Sequence, residues 1–389
     1  MRKGWEYKKL GEVCEVVTGT TPKTNIPEYW GKGHYWVTPA ELNDTTVYID
    51  KTERQITDEA LSKTKLRLLP IGTVLLSSRA PIGKVAIANA EMYCNQGFKN
   101  CICSETIYNK YLFYFLRLKK NYLNSLGRGA TFKEISKSIV ESIKIPLPPL
   151  STQLSIVSEL DKINELIRLK KEQHKDFDNL AQSIFYEMFG DPVENERGWE
   201  VKKLKDIVSD NCSISYGIVQ PGDGVKNGVP VVRPVDMTKT FVSRKGLKNT
   251  TKEISESYKR TILKGNEILM CVRGTTGLIS MATPELQGCN VTRGITPIEC
   301  GPTCYKWFIF YQILNPAIQH HIAEYTKGIA LKQINMKDVR DIPLCLPPLP
   351  LQHLFAQRIE QIEHQKAEVQ KSITDLETLL ASRMQYWFE

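Results

Sequence analysis

The sequence lacks long apolar runs. In its 389 residues no stretch reaches the ~18 consecutive apolar residues of a membrane-spanning helix. The first eight residues, Met-Arg-Lys-Gly-Trp-Glu-Tyr-Lys, also lack the hydrophobic segment of a secretory signal. We therefore predict a cytoplasmic protein without membrane contact.

The ten cysteines follow no disulfide or metal-binding pattern. The closest pairs, Cys101 with Cys103 and Cys300 with Cys304, lack the spacing and the neighbouring histidine of a zinc site. His320 and His321 are adjacent, so on a helix they point about 100° apart and do not suit one metal ion. We predict buried free thiols and no metal site.

Catalytic signatures are missing as well. The sequence contains no phosphate-binding GxxxxGK[ST] loop, no GxGxxG turn after a strand and no GxSxG nucleophile motif. An adenine methyltransferase would carry a Pro-Pro-aromatic turn after Asn or Asp, and the nearest candidate, Asn315-Pro316-Ala317, does not match it. We therefore predict no catalytic residue and no bound cofactor in this chain.

The composition is that of a folded protein with a modest excess of positive charge. Hydrophobic residues make up 41% and charged residues 24% of the chain, enough to bury real cores. Lysine and arginine number 52 against 43 acidic residues, a net charge of +9, which weakly favours a polyanionic partner. At ~150 residues per domain, the length suggests two or three domains, and two is our working number.

The chain is an internal repeat. Residues 5–10 (Trp-Glu-Tyr-Lys-Lys-Leu) are echoed by residues 199–204, and 75–83 by 269–277, both 194 positions later. Residues 145–150 (Ile-Pro-Leu-Pro-Pro-Leu) match 344–349, so the second copy has gained five residues between these anchors. Several ordered matches at nearly one offset indicate a tandem duplication.

A long helix is predicted after each paired-proline segment. Mostly apolar positions step alternately by four and three residues from Ile156 to Phe177 and from Phe355 to Leu380, as in a coiled-coil seam. The polar members of the two series are Lys170, His174 and Lys366. A helix from about 152 to 188 would be ~55 Å long, and so narrow a seam needs a partner helix, which the other copy supplies. Ile167 aligns with Lys366, so the two helices are not interchangeable.

The residues before each helix carry short mixed signals that predict a compact α/β module. Residues 74–76 and 85–88 read as strands around a Pro-Ile-Gly turn, and residues 111–118 and 305–310 as matching amphipathic helices with core aromatics. The predicted organisation is module 1 (1–150), a central helix (151–190), module 2 (191–349) and a C-terminal helix (350–389). The predicted fold is thus an α/β (α+β) tandem duplication.

The whole chain resembles the specificity subunits of Type I restriction-modification enzymes. The resemblance rests on the Trp-Glu-x-Lys-Lys-Leu openings, residues 18–22 (Thr-Gly-Thr-Thr-Pro), 95–98 (Asn-Gln-Gly-Phe), the paired-proline segments and the junction at 185–192. It implies two target-recognition domains alternating with two long helices that pack as an antiparallel coiled coil. Module 2 departs from module 1, with residues 216–222 in place of the Thr-Gly-Thr-Thr-Pro loop, which implies a different target.

The resemblance also implies partners. Each module would read one half of a split, asymmetric site on double-stranded DNA, and the helices would set the spacing and dock two methyltransferase subunits. Motor-nuclease subunits would join them. S-adenosylmethionine, ATP and Mg would belong to those partners, and this chain would hold none.

Polar and cationic residues beside glycine-containing turns are the candidate DNA contacts. In module 1 they are Thr18, Thr20, Lys23, Arg79, Lys84, Arg128, Thr131 and Lys133. In module 2 they are Tyr216, Gln220, Arg233, Arg273, Thr275, Lys327 and Lys332. Arg79 and Arg273 occupy equivalent positions after a strand, so a salt bridge that holds the shared fold is the alternative for both.

Two other functions fit the same pattern. A coiled-coil scaffold whose modules bind protein would show the same duplicated seams. A decoy specificity subunit that blocks its partner enzymes would show the same motifs.

Overall fold

The structure, a computed structural model, describes residues 5–129, 133–222, 224–328 and 331–389. It divides into two compact units. Unit 1 combines Met1–Lys171 with Lys371–Glu389, and unit 2 is Glu172–Gln370. Each unit therefore contains one module together with a part of each long helix.

Module 1 is a mixed α/β structure. Its strands are β1 (Glu6–Lys9), β2 (Cys14–Thr18), β3 (Trp30–Val37), β4 (Tyr48–Ile49), β5 (Gln55–Ile56), β6 (Val74–Leu76), β7 (Val85–Ala88), β8 (Tyr93–Cys94), β9 (Lys99–Cys103) and β10 (Lys144–Leu147). Its helices are α1 (Leu10–Val13), α2 (Asp58–Lys63), α3 (Asn109–Leu118), α4 (Lys120–Leu126) and α5 (Lys137–Ser142). The sheets run β2-β9-β6-β7-β4, β5-β3-β8 and β1-β10.

The core of module 1 lies between α3 and the five-stranded sheet. The predicted strands 74–76 and 85–88 are β6 and β7, and every residue of both is buried. All residues from Tyr111 to Leu116 of α3 are buried too, so these aromatics belong to the core as the sequence predicted. Six consecutive buried residues leave no exposed face in the middle of α3, and its polar residues Asn109, Lys110 and Arg117 lie near its ends.

After α6 (Leu150–Phe189), module 2 repeats this plan with shorter sheets. Its strands are β11 (Glu200–Lys203), β12 (Val229–Val232), β13 (Lys248–Thr250), β14 (Ile268–Cys271), β15 (Ile279–Met281), β16 (Asn290–Val291), β17 (Ile295–Ile298) and β18 (Pro343–Leu346). Its helices are α7 (Lys252–Ser257), α8 (Lys306–Leu314), α9 (Pro316–Glu324) and α10 (Met336–Arg340), and α11 (Leu349–Phe388) follows. The sheets run β13-β12-β16, β15-β14-β17 and β11-β18.

The first strand of each module pairs with its last strand, and the two pairings are equivalent. β1 pairs antiparallel with β10 so that Glu6 faces Leu147, and β11 pairs with β18 so that Glu200 faces Leu346. These partners stand at the offsets of 194 and 199 that the sequence repeat shows. The opening and the exit of each module are therefore adjacent in space.

The two long helices have 40 residues each, about 60 Å at ~1.5 Å per residue. A buried glutamine at the same position anchors each start. Gln153 donates to Pro148 O at 2.9 Å and accepts from Tyr108 N–H at 2.8 Å, while Gln352 donates to Pro347 O at 2.8 Å. Both side chains are fully buried, so each helix leaves its module in a defined direction.

Within each unit, side chains of α6 contact side chains of α11. In unit 1, Glu159 accepts hydrogen bonds from Arg383 and Trp387. In unit 2, Lys366 donates to Asp178 at 2.6 Å, and the rings of Phe185 and Phe355 lie 5.7 Å apart. Every helix in the described ranges is too short or too polar to cross a lipid bilayer.

Candidate nucleic-acid interface

Segments of module 1 meet at one edge, which we call loop edge 1: residues 18–23, 77–84, 94–99, 127–129 and 133–134. Ser78 N–H donates to Gly97 O at 2.7 Å, and Ile135 N–H donates to Ser78 O at 2.9 Å. Thr18 faces Lys99 across the β2–β9 ladder, which adds the first segment. Backbone hydrogen bonds therefore hold these segments together.

A tight turn presents the second of these segments. Ser77 Oγ donates to Pro81 O at 2.8 Å and accepts from Lys84 N–H at 2.9 Å. Gly83 has φ +87°, a backbone conformation that a side chain would strain. The turn leaves Arg79 at its exposed tip.

One carboxylate ties two cations of loop edge 1. Glu134 Oε2 accepts from Arg79 Nε at 2.9 Å, and Glu134 Oε1 accepts from Lys99 Nζ at 3.0 Å. The Lys99 side chain is only 6% exposed, whereas that of Arg79 is 45% exposed. Burial opposes ionisation of Glu134, but the hydrogen bonds from Lys99 and Arg79 outweigh it and hold the pKa of Glu134 below its usual value.

Module 2 builds the same frame, which we call loop edge 2: residues 216–220, 271–277, 291–296, 326–328 and 331–333. Val272 N–H donates to Gly294 O at 2.8 Å, and Ile334 N–H donates to Val272 O at 3.1 Å. These bonds repeat those of Ser78 and Ile135 in loop edge 1. The two modules therefore share a backbone frame at this edge.

The side chains of loop edge 2 differ from those of loop edge 1. Gln333 stands where Glu134 stands, and its Nε2 donates to Tyr216 Oη at 3.3 Å. Arg293 lies over the Tyr216 ring, with 5.7 Å between the guanidinium carbon and the ring centroid. Among the residues that the structure describes, the buried Nε of Arg273 has no hydrogen-bond partner.

The predicted contact residues of module 1 mostly gather at loop edge 1. Thr18, Thr20, Lys23, Arg79, Arg128 and Lys133 are exposed there. Arg79 also forms the salt bridge that was its alternative role. Lys84 donates to Pro39 O at 3.0 Å, and Thr131 lies outside the described residues.

The predicted residues of module 2 divide similarly. Tyr216, Gln220, Arg273, Thr275, Lys327 and Lys332 lie at loop edge 2. Arg273 makes no salt bridge with any described residue, unlike its counterpart Arg79. Arg233 instead pairs with Asp236 at 2.8 Å, and this hydrogen bond raises the pKa of Arg233. As DNA contacts all of these residues remain predictions.

Sequence reasoning missed four residues of these edges: Lys99, Glu134, Arg293 and Gln333. Glu134 and Gln333 align at the offset of 199, so comparison of the two copies would have exposed the change from acid to amide. Within the described ranges, no group of three or more His, Cys, Asp or Glu residues is placed to hold a metal ion.

The long helices carry a second candidate surface. Large apolar side chains are exposed outside the buried seam, with about 43–47% of each accessible. On α6 they are Leu154, Leu166, Leu169 and Leu180, and on α11 they are Leu354 and Leu379. A contiguous apolar patch is typical of a surface that meets a protein partner, whereas single exposed leucines are common on any folded protein.

Comparison with known proteins gives one consistent match. A family model described as "Type I restriction modification DNA specificity domain" matches residues 2–176 and again 196–378. The MjaIX Type I restriction enzyme specificity subunit of Methanocaldococcus jannaschii is 29% identical over 97% of this chain and 91% of that protein. The EcoBI specificity subunit of Escherichia coli is 26% identical over 74% of this chain and 67% of that protein.

Solved structures agree at the level of the fold. A chain from a structure of a type I R-M system superposes with a TM-score of 0.63 at 20% identity, covering 99% of this chain and 97% of that one. The S subunit of a Type I restriction-modification system from M. genitalium gives a TM-score of 0.52 at 14% identity, covering 99% of this chain and 96% of that one.

Proposed function

The chain belongs to the Type I restriction-modification specificity subunits, and from this premise we propose that it reads DNA sequence for a multi-subunit enzyme and catalyses no reaction itself. Each module reads one half of a bipartite, asymmetric site on double-stranded DNA. The recognition domains are residues 1–150 and 191–349, and the spacers are residues 151–190 and 350–389.

One observation carries this proposal: the two modules share a backbone frame but differ in the side chains that it presents. Cations recur at matched positions, Arg79 with Arg273 and Arg128 with Lys327, where they can position phosphates in either module. Around them Glu134 is replaced by Gln333. A common frame with different polar side chains supports two readers of different sequences, because base edges are read by the pattern of donors and acceptors.

The helices act as a ruler in this proposal. They pack as an antiparallel coiled coil, an arrangement that the contacts inside each unit support, since the start of α6 contacts the end of α11 and the start of α11 contacts the end of α6. Two readers on a rod of fixed length engage one duplex only when the half-sites have a matching separation. Binding of one half-site also raises the effective concentration of the second reader.

Methyltransferase subunits dock on this rod, and motor-nuclease subunits join the assembly in the cytoplasm. The exposed leucines of α6 and α11 support a protein partner along the helices, because burying them on a partner is favourable at ~25 cal/mol per Å². The partners bring S-adenosylmethionine, ATP and Mg.

The direct test is DNA binding by the chain co-expressed with methyltransferase subunits. The assembled complex should retain duplex DNA, and the double variant Arg128→Ala/Lys327→Ala should bind it more weakly. Lys144→Ala is the matched control, because Lys144 is an exposed lysine on the β1–β10 sheet outside loop edge 1. A complex that assembles but retains no DNA would instead identify a scaffold. One that binds DNA without methylating it would identify a decoy.

A further inference from the structure

The two loop edges differ in charge at one equivalent position. Glu134 exchanges backbone hydrogen bonds with Arg128 at 3.0 and 2.9 Å, and Gln333 exchanges the same two bonds with Lys327 at 2.8 Å each. The backbone therefore holds both residues in the same place. Only the end of the side chain changes, from a carboxylate to an amide.

In module 1 this carboxylate is a counter-ion inside the recognition surface. It binds Arg79 on one oxygen and the buried Lys99 on the other, at 2.9 and 3.0 Å. A DNA phosphate that approached Arg79 would have to compete with Glu134 and would also be repelled by it. Loop edge 1 therefore offers less positive charge than its cations suggest.

In module 2 the counter-ion is absent from the described residues. Gln333 is neutral and directs its amide to the Tyr216 hydroxyl. Thr296 takes the place of Lys99, and its buried hydroxyl lacks a hydrogen-bond partner among the described residues, as does Nε of Arg273. A buried donor without a partner is unfavourable, so Arg273 keeps an unused hydrogen-bond donor, whereas Nε of Arg79 is bound to Glu134.

We propose that Glu134 masks the cations of loop edge 1, whereas Gln333 leaves Arg273 free, so that module 2 supplies the larger electrostatic share of DNA binding. The inference rests on the proposed function and deepens it. Module 1 then depends more on contacts to bases, and module 2 more on contacts to phosphates. Glu134 and Gln333 act through the arginine beside them and are positioning residues.

Two reciprocal substitutions test this, because carboxylate and amide have nearly the same shape. Binding of the assembled complex to a random-sequence duplex is measured as a function of salt, since phosphate contacts set that dependence. Glu134→Gln should steepen the plot of log affinity against log salt by about 0.9, the value of one phosphate contact. The ratio of the affinity of Glu134→Gln to that of wild type should therefore fall roughly 3- to 4-fold as salt rises from ~50 to ~200 mM. Gln333→Glu should make the slope shallower by a similar amount.

The two substitutions should change the salt slope in opposite directions, and this distinguishes an effect of charge from an effect of misfolding. A variant that merely misfolds binds more weakly, so misfolding cannot produce the steeper slope and tighter low-salt binding expected of Glu134→Gln. The double variant Lys99→Thr/Glu134→Gln copies Thr296 and Gln333 of module 2, removes the buried lysine, and should also steepen the slope. Glu105→Gln makes the same chemical change in module 1 outside loop edge 1 and should leave the slope unchanged.

The arginines give an independent readout. Arg273→Gln should reduce the salt slope more than Arg79→Gln does. Unchanged slopes in Glu134→Gln and Gln333→Glu, with DNA binding by the wild-type complex intact, would overturn this inference and leave the proposed function standing. A wild-type complex that binds no duplex at all would overturn the proposed function itself.

Discussion

Replacing Lys366 by isoleucine should destabilise unit 2, because it would leave a buried carboxylate without its cation. The Lys366 side chain is 7% exposed, and its Nζ lies 2.6 Å from Asp178 and 3.0 Å from Glu363. Glu363 is itself only 9% exposed, and its other contact is the Tyr311 hydroxyl at 3.4 Å. Asp178 is half exposed, so water can replace the lysine there, whereas Glu363 is largely buried.

The size of the effect follows from that burial. Removing one partner of a buried ion pair costs ~3–5 kcal/mol, and we expect about 3 kcal/mol here because Glu363 keeps the Tyr311 hydroxyl. Burial alone would lower the pKa of Lys366, but its hydrogen bonds to Asp178 and Glu363 raise that pKa above 10.5. The raised value means that the lysine stabilises the fold fully at neutral pH, and that this contribution fades only as pH rises past 10.5.

The equivalent positions of α6 indicate a second substitution that should restore the stability lost in Lys366→Ile. Asn164 and Ile167 of α6 stand where Glu363 and Lys366 stand in α11. Glu363→Asn/Lys366→Ile should therefore recover to within ~1 kcal/mol of wild type, since it removes both charges of the buried pair together and leaves neither carboxylate nor ammonium unpaired there. Lys175→Ile, an exposed lysine of α6 in unit 2, is the control and should change little.

Hydrogen exchange read on peptides from residues 172–370 measures the opening free energy of unit 2 alone, which avoids a two-state assumption for the whole chain. A loss below ~1 kcal/mol in Lys366→Ile, or a double variant as unstable as the single one, would refute the reasoning.

Three further predictions concern loop edge 1, the length of the long helices and the contact of Glu159 with α11. Arg128→Ala should weaken DNA binding of the assembled enzyme by ~1–3 kcal/mol if Arg128 makes a bidentate base contact, and unchanged binding across salt concentrations would reject that role. One heptad inserted into residues 152–188, with a matching heptad in α11, should lengthen the rod by ~10 Å and change the permitted gap but not the half-sites. Methylation at the old gap would count against the ruler. Hydrogen bonds from Arg383 and Trp387 hold the pKa of Glu159 below 4.5, so its stabilising contribution, at most ~1 kcal/mol, should disappear as pH falls below 4.5. The melting temperatures of wild type and Glu159→Gln should converge in acid.

The periodicity of apolar residues along the sequence predicted the long helix and two of the buried strands correctly. The helix expected at about 152–188 spans Leu150–Phe189, because its seam repeats along the sequence itself. The strands at 74–76 and 85–88 were found for the same reason, since short buried runs between turn residues are visible without tertiary information.

Contacts between residues far apart in the sequence could not be predicted from such local patterns. Glu134 meets Lys99 because β9 lies between β2 and β6, an order that neither residue signals. Gln153 and Gln352 are polar positions on helices rich in charge, yet both are fully buried where the helix joins its module. Their partners are a proline carbonyl and a backbone N–H that only the folded chain brings near.

The central claim is that two modules of one chain read two separate half-sites at a fixed distance. Genome-wide mapping of methylated adenines, after co-expression of the chain with methyltransferase subunits, tests it most directly. We predict one methylated motif with two dissimilar specified halves and a gap of constant length between them. A single continuous motif, or a gap that varies from site to site, would contradict it.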